Sequence, residues 1–311
     1  MRTQRRICLA WGGIAALVLA AALGRAGDTF TIVTYNLENY IDHPGSGRPE
    51  KTAASKAKIR QILLSMRPDV LAVEEIGLPS ALLELRASLR REGLDYPYWE
   101  HAGGYDTNIF LGLLSRFPIV ARRPHTNDTY LLHGRRFQVS RGFLEADIRV
   151  NSRYRFTLLS AHLKSKRRVP WADQEEMREE EAKILREKIE AILSRRPEAN
   201  VVVVGDFNDT KDSRAVKIVR GLGRFRLIDT RPAERNGDTG VRTNPRYDPR
   251  TVTWTHFYGA ADAYERIDYI LLSPGMAREW IPKASYVFSG PDWGLASDHR
   301  PVAAGFAAED R

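Results

Sequence analysis

Cysteine is almost absent from this sequence: there is one residue in 311, Cys8. A single thiol excludes an intramolecular disulfide and a cysteine-based metal site, so any metal must be held by oxygen or imidazole. No internal repeat and no low-complexity stretch occurs, and 43% hydrophobic with 28% charged residues excludes a disordered or fibrous chain. Long apolar runs are also scarce. The one example, Ile7 to Leu23, lacks a flank that would stop transfer through a membrane. Acidic residues are the minority, 39 against 48 Lys plus Arg, leaving a net charge of +9. That balance points to a polyanionic partner and says nothing about fold.

The apolar run follows Arg2, Arg5 and Arg6 and precedes small residues with cleavage points after Gly24 or Ala26. This is the layout of a secretory signal over residues 1–26. Left uncleaved, a run of this length lies near the lower limit for a membrane anchor. Cys8 sits too early in it to accept a lipid. Removing the leader takes away Arg2, Arg5, Arg6 and Arg25, so part of the basic excess reports targeting. The remaining chain is still basic, free of cysteine and suited to an oxidising compartment. A secreted or periplasmic protein is expected, membrane-anchored if the leader stays.

From Asp28 to Arg311 apolar runs alternate with helical stretches. Phe30 to Tyr35, Val70 to Val73, Ile109 to Leu114, Phe156 to Ala161, Val201 to Val204, Tyr269 to Leu272 and Val302 to Phe306 read as strands. Leu144 to Val150 alternates apolar and charged residues, the period of a half-buried strand. Helices are predicted over Thr52 to Met66, Ser80 to Glu92 and Asp173 to Arg196, the first and last stopped by a following proline. Buried and alternating strands together imply mixed sheets with helices outside, in one α/β domain. Thr230 to Arg250, rich in Pro, Gly, Asn and Asp, reads as a surface loop near the site.

The chemistry gathers at strand ends. The first strand runs into Asn36 and Glu38, the second into Glu74 and Glu75, another into His162, and the valine strand into Asp206, Asn208 and Asp209. Asp268 and the pair Asp298-His299 precede the last strands instead. Antiparallel pairing places one strand's start beside another's end, so all six clusters can converge on one edge. Asp or Asn at one strand end is ordinary turn chemistry. Six clusters without an aliphatic substitute are not explained that way. Asn36, Glu75 and Asp298 offer hard oxygen ligands suited to Mg²⁺ or Mn²⁺. His162 and His299 can hydrogen-bond or bring charge to a phosphoryl group, and Asp206 with Asn208 can orient a water. Metal-assisted phosphoester hydrolysis is the reaction class that follows.

YNLEN (35–39), VEEIG (73–77), LLSRFPI (113–119), SAHLKSK (160–166), GDFND (205–209), RIDYILLS (266–273) and SDHRPV (297–302) resemble the ordered motif set of the endonuclease/exonuclease/phosphatase superfamily. That superfamily includes DNase I-like and exonuclease III-like nucleases, sphingomyelinases and inositol polyphosphate 5-phosphatases. The resemblance covers residues 30–306. It implies a four-layer sandwich of two packed mixed β-sheets flanked by helices, with the site at one edge. It also implies that Glu75 is the principal metal ligand with Asn36 beside it, and that Asp298 is a further ligand or neighbour. Asp206 would polarise the nucleophilic water with Asn208. His299, oriented by Asp268, would contact the scissile phosphate, and His162 would support the phosphate or leaving group. Glu74 stands where many members have Gln and is expected to add negative charge near the metal. Tyr105 fits the motifs only loosely and is not assigned to the site.

The expected activity is that of a divalent-metal-dependent phosphodiesterase, foremost a nuclease. A sphingomyelinase-like or inositol-phosphate-type phosphoesterase is the alternative. A lipid enzyme should present an exposed aromatic hairpin, and no contiguous aromatic run exceeds Phe257-Tyr258. A binding module without catalysis should have lost members of the metal and histidine set, and none is missing. Four cations lie at positions 164, 166, 167 and 168. Period-two spacing on an extended segment would put Lys164 and Lys166 on the side of His162, as a substrate-binding strip. His43, His101, His125, His133 and His256 read as structural or solvated, and the acidic run Gln174 to Glu181 as a solvated helix start. Nucleic acid or another phosphodiester is the partner expected. No protein partner is read from the sequence, and a monomer is expected.

Overall fold

A computed structural model describes residues 29–42, 48–235 and 251–310. The leader, His43 and most of the expected loop at 230–250 lie outside the described residues. The described residues begin with β1 (Thr29–Tyr40), α1 (Ala53–Met66), β2 (Val70–Ile76) and α2 (Pro79–Arg91). Next come β3 (Tyr98–Ala102), β4 (Phe110–Ser115), β5 (Ile119–Arg122), β6 (Thr129–Leu132), β7 (Arg135–Gln138), β8 (Phe143–Arg149) and β9 (Arg155–His162). Helix α3 (Gln174–Arg195) leads to β10 (Val201–Asp206), α4 (Arg214–Arg220) and β11 (Ile228–Asp229). The remainder holds β12 (His256–Tyr258), β13 (Ala263–Glu265), β14 (Asp268–Leu272), α5 (Met276–Glu279), β15 (Trp280–Val287) and β16 (Val302–Ala307).

Two six-stranded sheets result, ordered β15-β16-β1-β2-β4-β3 and β11-β14-β10-β9-β8-β5. Each is mixed: β1 and β2 run parallel in the first, β9 and β10 in the second, and their other neighbours are antiparallel. Period-two alternation sorts every central strand into two apolar rows. Phe30, Ile32, Val70, Ala72, Leu158, Val202, Val204 and Ile270 fill the space between the sheets. There the Phe30 ring stacks on Phe156 at 5.2 Å and on Phe306 at 5.4 Å between centroids. The opposite row of the first sheet, including Val33, Leu71 and Val73, packs on Ile59 and Leu63 of α1 and Leu82 and Leu85 of α2. That of the second, including Val201 and Val203, packs on Leu185 and Ile189 of α3 and Val216 of α4. Burial on both faces is why β10 can be four valines without a polar side. The architecture is the four-layer α/β sandwich.

Side-chain caps place the starts of α1 and α3. Thr52 accepts from the Ser55 amide, and Asp173 accepts from the amides of Glu175 and Glu176. The acidic run at the start of α3 is not a solvated face throughout, however. Glu181 is fully buried and accepts from the Ser140 amide (2.8 Å), the Ser140 hydroxyl (2.6 Å) and the Lys164 amide (2.7 Å). Consecutive helix positions point about 100° apart, which leaves Glu180 partly exposed and buries Glu181, so the same acidic run serves water and core at once. Gly205 sits where β10 passes β9, at φ +129°, and a Cβ there would lie 1.9 Å from the Ala161 carbonyl oxygen. Only glycine admits that approach.

Candidate active site

The inter-sheet rows end in polar residues at one edge. Continuing Phe30, Ile32 and Thr34 by two gives Asn36; continuing Val70 and Ala72 gives Glu74; Val202 and Val204 lead to Asp206. Asp206 is register partner of both His162 on β9 and Asp268 on β14. The opened end of the sandwich core is therefore the site, and antiparallel β14 delivers its first residue to the edge where β10 delivers its last. Asn36 donates to Asp206 Oδ2 at 3.0 Å, and Asn208 donates to it from its amide nitrogen at 2.7 Å, on Oδ1, and from Nδ2 at 3.3 Å. His162 Nε2 stands 3.5 Å from Asp206 Oδ2 and 4.0 Å from Glu75 Oε1. His299 Nδ1 is 2.9 Å from Asp268 Oδ2, and its Nε2 is 3.8 Å from both Asp206 and Asp298. Ser297, which donates to the Asn36 carbonyl at 2.8 Å, fastens the last motif to the first.

Electrostatics separates these groups. Burial and the neighbouring Asp268 push the Asp206 carboxyl up to about 7, although His299, Asn36 and the Asn208 amide favour its charged form. His299 is held well above the ordinary histidine range; burial opposes this, and Asp268, Asp206 and Asp298 overcome it. His162 goes the other way. Burial, then Arg141, His299 and Arg48, keep it well below the usual range and neutral. Its Nδ1 has no hydrogen-bond partner, and neither does Asp268 Oδ1. One imidazolium and one neutral imidazole thus flank a dry carboxylate.

The two glutamates of β2 separate at a bulge. Alternation alone sends Glu74 into the inter-sheet space and Glu75 out toward the helices. Glu75 adopts φ +57° where the pairing with β4 slips, which returns its side chain to the edge. There Oε2 accepts from the Asn39 amide at 3.0 Å and lies 3.8 Å from Arg48. Glu74 stays fully buried, accepting from the Thr34 hydroxyl at 2.8 Å. Burial and the adjacent Asp268 hold its carboxyl well above the ordinary range. Burial thus works against the added negative charge expected of Glu74 and favours the protonated carboxyl, which has the shape of an amide.

The structure brings Asn36, Glu75, His162, Asp206, Asn208, Asp268, Asp298 and His299 to one edge. It does not do so for the ammonium groups of the expected cationic strip. Strand β9 ends at His162, so period-two pointing lapses beyond it. Lys164 is buried, donates to the carbonyls of Ser165 and Arg167 at 3.0 Å each, and is lowered to about 8 by burial and by Arg141. Lys166 points outward and pairs with Glu265 at 2.7 Å. His256, read from the sequence as structural or solvated, stands at the site. Its Nε2 is 3.5 Å from Asp298 Oδ2 and its ring 4.5 Å from that of His299, because β12 bridges to residue 299. Nothing in its local sequence signals this, since the contact depends on a hairpin formed 43 residues away from the motif it joins. Glu38, at the end of β1, was likewise unassigned. Burial first, then Asp298 and Glu75, push its carboxyl up.

A model of the endonuclease/exonuclease/phosphatase family matches residues 33–299. The chain belongs to that family. Family members are phosphoric ester hydrolases, and this endonuclease/exonuclease/phosphatase protein is an enzyme of that class. Among curated protein sequences, none matches it. Solved structures share its fold. Truncated Caenorhabditis elegans TDP2 is 16% identical with a TM-score of 0.59, covering 90% of this chain and 98% of that one. The human Nocturnin catalytic domain with bound sulfate is 15% identical, TM-score 0.60, covering 90% and 95%. D. rerio TDP2 complexed with a single-strand DNA product is 20% identical, TM-score 0.57, covering 89% and 98%. At these identities the likeness concerns the fold alone.

Divalent-metal dependence is typical of the endonuclease/exonuclease/phosphatase family. Two groups among the described residues are tight enough to hold an ion, His256 with Asp298 and His299, and Asp206 with Asp268 and His299. Glu75 belongs to neither. The donor set beside it nevertheless fits a hard cation: Glu38, Glu75 and Asp298 crowd negative charge at the open side of the site. Asn36 Oδ1 accepts one bond, from the Glu38 amide at 2.9 Å, and keeps a second lone pair.

Proposed function

We propose that this enzyme is an exported phosphodiesterase of the nuclease type, working with Mg²⁺ or Mn²⁺ held by Glu75, Asn36 and Asp298. The observation that carries the reading is the contrast between two carboxylates at one edge. Asp206, in a dry setting, is raised to about 7, while Asp298, half-exposed, is lowered by its bond to His256 and by His299 against the effect of burial. Carboxylates driven apart in this way divide into a proton acceptor and a charge holder. Asp206, steadied by Asn36 and Asn208, takes the proton of the attacking water. His299, cationic and fixed through Nδ1 by Asp268, presents Nε2 to a non-bridging phosphate oxygen. Neutral His162 donates from Nε2, which requires the tautomer its unpartnered Nδ1 allows. A bound cation supplies charge stabilisation for the phosphoryl oxygens.

The test is a panel of plasmid DNA, RNA, sphingomyelin and a nitrophenyl phosphodiester with Mg²⁺, Mn²⁺ or Ca²⁺. Scission of nucleic acid, stopped by EDTA and abolished in Asp206→Asn, is the expected result. Full activity in EDTA overturns the metal assignment. One feature favours a second reading, lipid or small-molecule phosphodiester. Folding gathers aromatics that are not contiguous in sequence, and the β12–β13 hairpin displays Tyr258 and Tyr264, both more than half exposed. Hydrolysis of sphingomyelin without nucleic-acid scission selects that reading. Export is tested by the N-terminus of the recovered protein, expected to begin after Gly24 or Ala26.

A further inference from the structure

A groove of about 590 Å³ lies against the β6–β7 hairpin, the segment after β9 and the start of α3, with Tyr105 and Trp171 in its lining. Two large aromatic side chains stand in water there: Tyr105 is 72% exposed and Trp171 51%. Arg135 and Arg136, both exposed, line the same groove, and the Arg135 guanidinium lies 5.8 Å over the Phe137 ring. The adjacent acids are engaged. Glu176 is bound by His133 at 2.8 Å, and Glu181 is sealed beneath the Ser140 and Lys164 amides. The groove's net character is therefore aromatic and cationic.

Its lining is tied to the active-site edge through Lys164, two residues after His162, and through backbone hydrogen bonds. The Tyr105 amide donates to the Val139 carbonyl at 3.2 Å, and the Asp106 amide to that of Ser140 at 2.7 Å. Arg141 in turn reaches the Leu163 carbonyl at 3.4 Å, one residue beyond His162. Tyr105 is thus pinned to the segment that touches the end of β9. Arg167 and Arg168, also exposed, lie in sequence between that strand end and Trp171.

We infer that this groove holds the unpaired nucleotides flanking the scissile phosphate, with bases stacked on Tyr105 and Trp171 and backbone phosphates on Arg135 and Arg136. The inference rests on the nuclease reading and narrows it to single-stranded substrate. In a duplex the base faces are already stacked, and exposed rings have nothing to cover. In a single strand each base face is free, and stacking on an aromatic side chain adds to the phosphate contacts without demanding a sequence. A small single-phosphate substrate uses one cation and leaves both rings in water, and a lipid surface takes up the rings without a row of backbone phosphates for Arg135 and Arg136.

Binding of the full chain to a labelled single-stranded oligonucleotide and to a duplex of the same length, in EDTA to prevent cleavage, tests this. The wild type is expected to prefer the single strand, with quenching of tryptophan fluorescence. Trp171→Ala and Tyr105→Ala are each expected to weaken binding about ten-fold, Trp171→Ala also losing the quench. Arg135→Ala with Arg136→Ala should make the salt dependence shallower. Unchanged melting temperatures separate these losses from misfolding. If the wild type binds and cleaves single strands while both aromatic variants bind them equally well, the groove assignment is wrong and the nuclease reading stands. If the wild type neither binds nor cleaves any oligonucleotide, the nuclease reading fails and the inference with it. Fluorescence that answers to phosphatidylglycerol vesicles and not to oligonucleotide also overturns it.

Discussion

Replacing Glu181 by Ala removes the acceptor of three hydrogen bonds at once. The donors are the Ser140 amide, the Ser140 hydroxyl and the Lys164 amide, all within 2.8 Å. The hydroxyl can turn elsewhere; the two amides cannot, and a buried unsatisfied donor costs about 1–3 kcal/mol. Burial raises the Glu181 carboxyl despite these bonds, so desolvation already offsets part of their worth. A net loss of roughly 3 kcal/mol follows, a large share of the ~5–15 kcal/mol that holds a domain together. Lys164 lies two residues after His162, so turnover should fall as well. Urea unfolding of the wild type, Glu181→Ala and Glu180→Ala measures the effect. Glu180, one position earlier and paired with Lys183 at the surface, is the control, expected to change stability by no more than ~0.5 kcal/mol. Equal midpoints for the two variants would refute the clamp. Glu181→Gln should fall between them, because its NH₂ group must face one of the amide donors.

Gly205→Ala should destabilise by roughly 2–5 kcal/mol, since its Cβ meets the Ala161 carbonyl and the positive φ is strained; Gly294→Ala, with open space around it, should be neutral by the same thermal melt. Glu74→Gln should alter stability by less than ~1 kcal/mol, because burial favours the uncharged form of the carboxyl that the amide replaces. If Glu74 were ionised, its loss would relieve Asp206 and move the rising limb of the pH–rate profile to lower pH, which is the result that counts against us. Arg123 binds Glu145 and, at 2.6 Å, Asp147, and His125 adds a bond to Glu145 at 2.7 Å. Burial opposes these bonds, yet both carboxyls end below their ordinary values. Folded pKa values below the unfolded ones stabilise above the unfolded pKa, and that stability is lost as pH falls through the folded values. The wild type should therefore lose stability on acidification below about pH 4.5, and Arg123→Ala should lose less over the same range; identical acid limbs by chemical denaturation would exclude the network as a contributor.

Much of this fold was legible because burial on two faces leaves an unmistakable pattern. Val201 to Val204 admits no water on either side, and Leu144 to Val150 declares its half-buried face by alternation. The strand-end clusters were legible for the same reason: alternation carried on past the apolar residues lands on Asn36 and Asp206. Other features depended on backbone geometry that residue types do not encode. The left-handed turn at Glu75 reverses which glutamate faces the site. Termination of β9 at His162 withdraws Lys164 from the face its spacing predicted. Glu181 hides in an acidic run because a single residue's step around the helix separates water from core. The β6–β7 and β12–β13 hairpins are too short and polar to show a period, so Arg135, Arg136 and His256 could not be placed from sequence.

The bonds that define the site join distant parts of the chain. Asn36 and Asp206 are 170 residues apart, and Ser297 and Asn36 are 261 apart. Each sheet also has at its centre a parallel pair, which no local hairpin can nucleate. Loop-closure entropy makes such contacts late and slow events in folding. Neither sheet alone assembles the acceptor, the imidazoles and the carboxylates, so a chain with one sheet formed has no hydrolytic capacity. Refolding from urea should restore secondary structure first and turnover only in the slowest phase, when the sheets dock. Catalysis here is a report on the completion of folding.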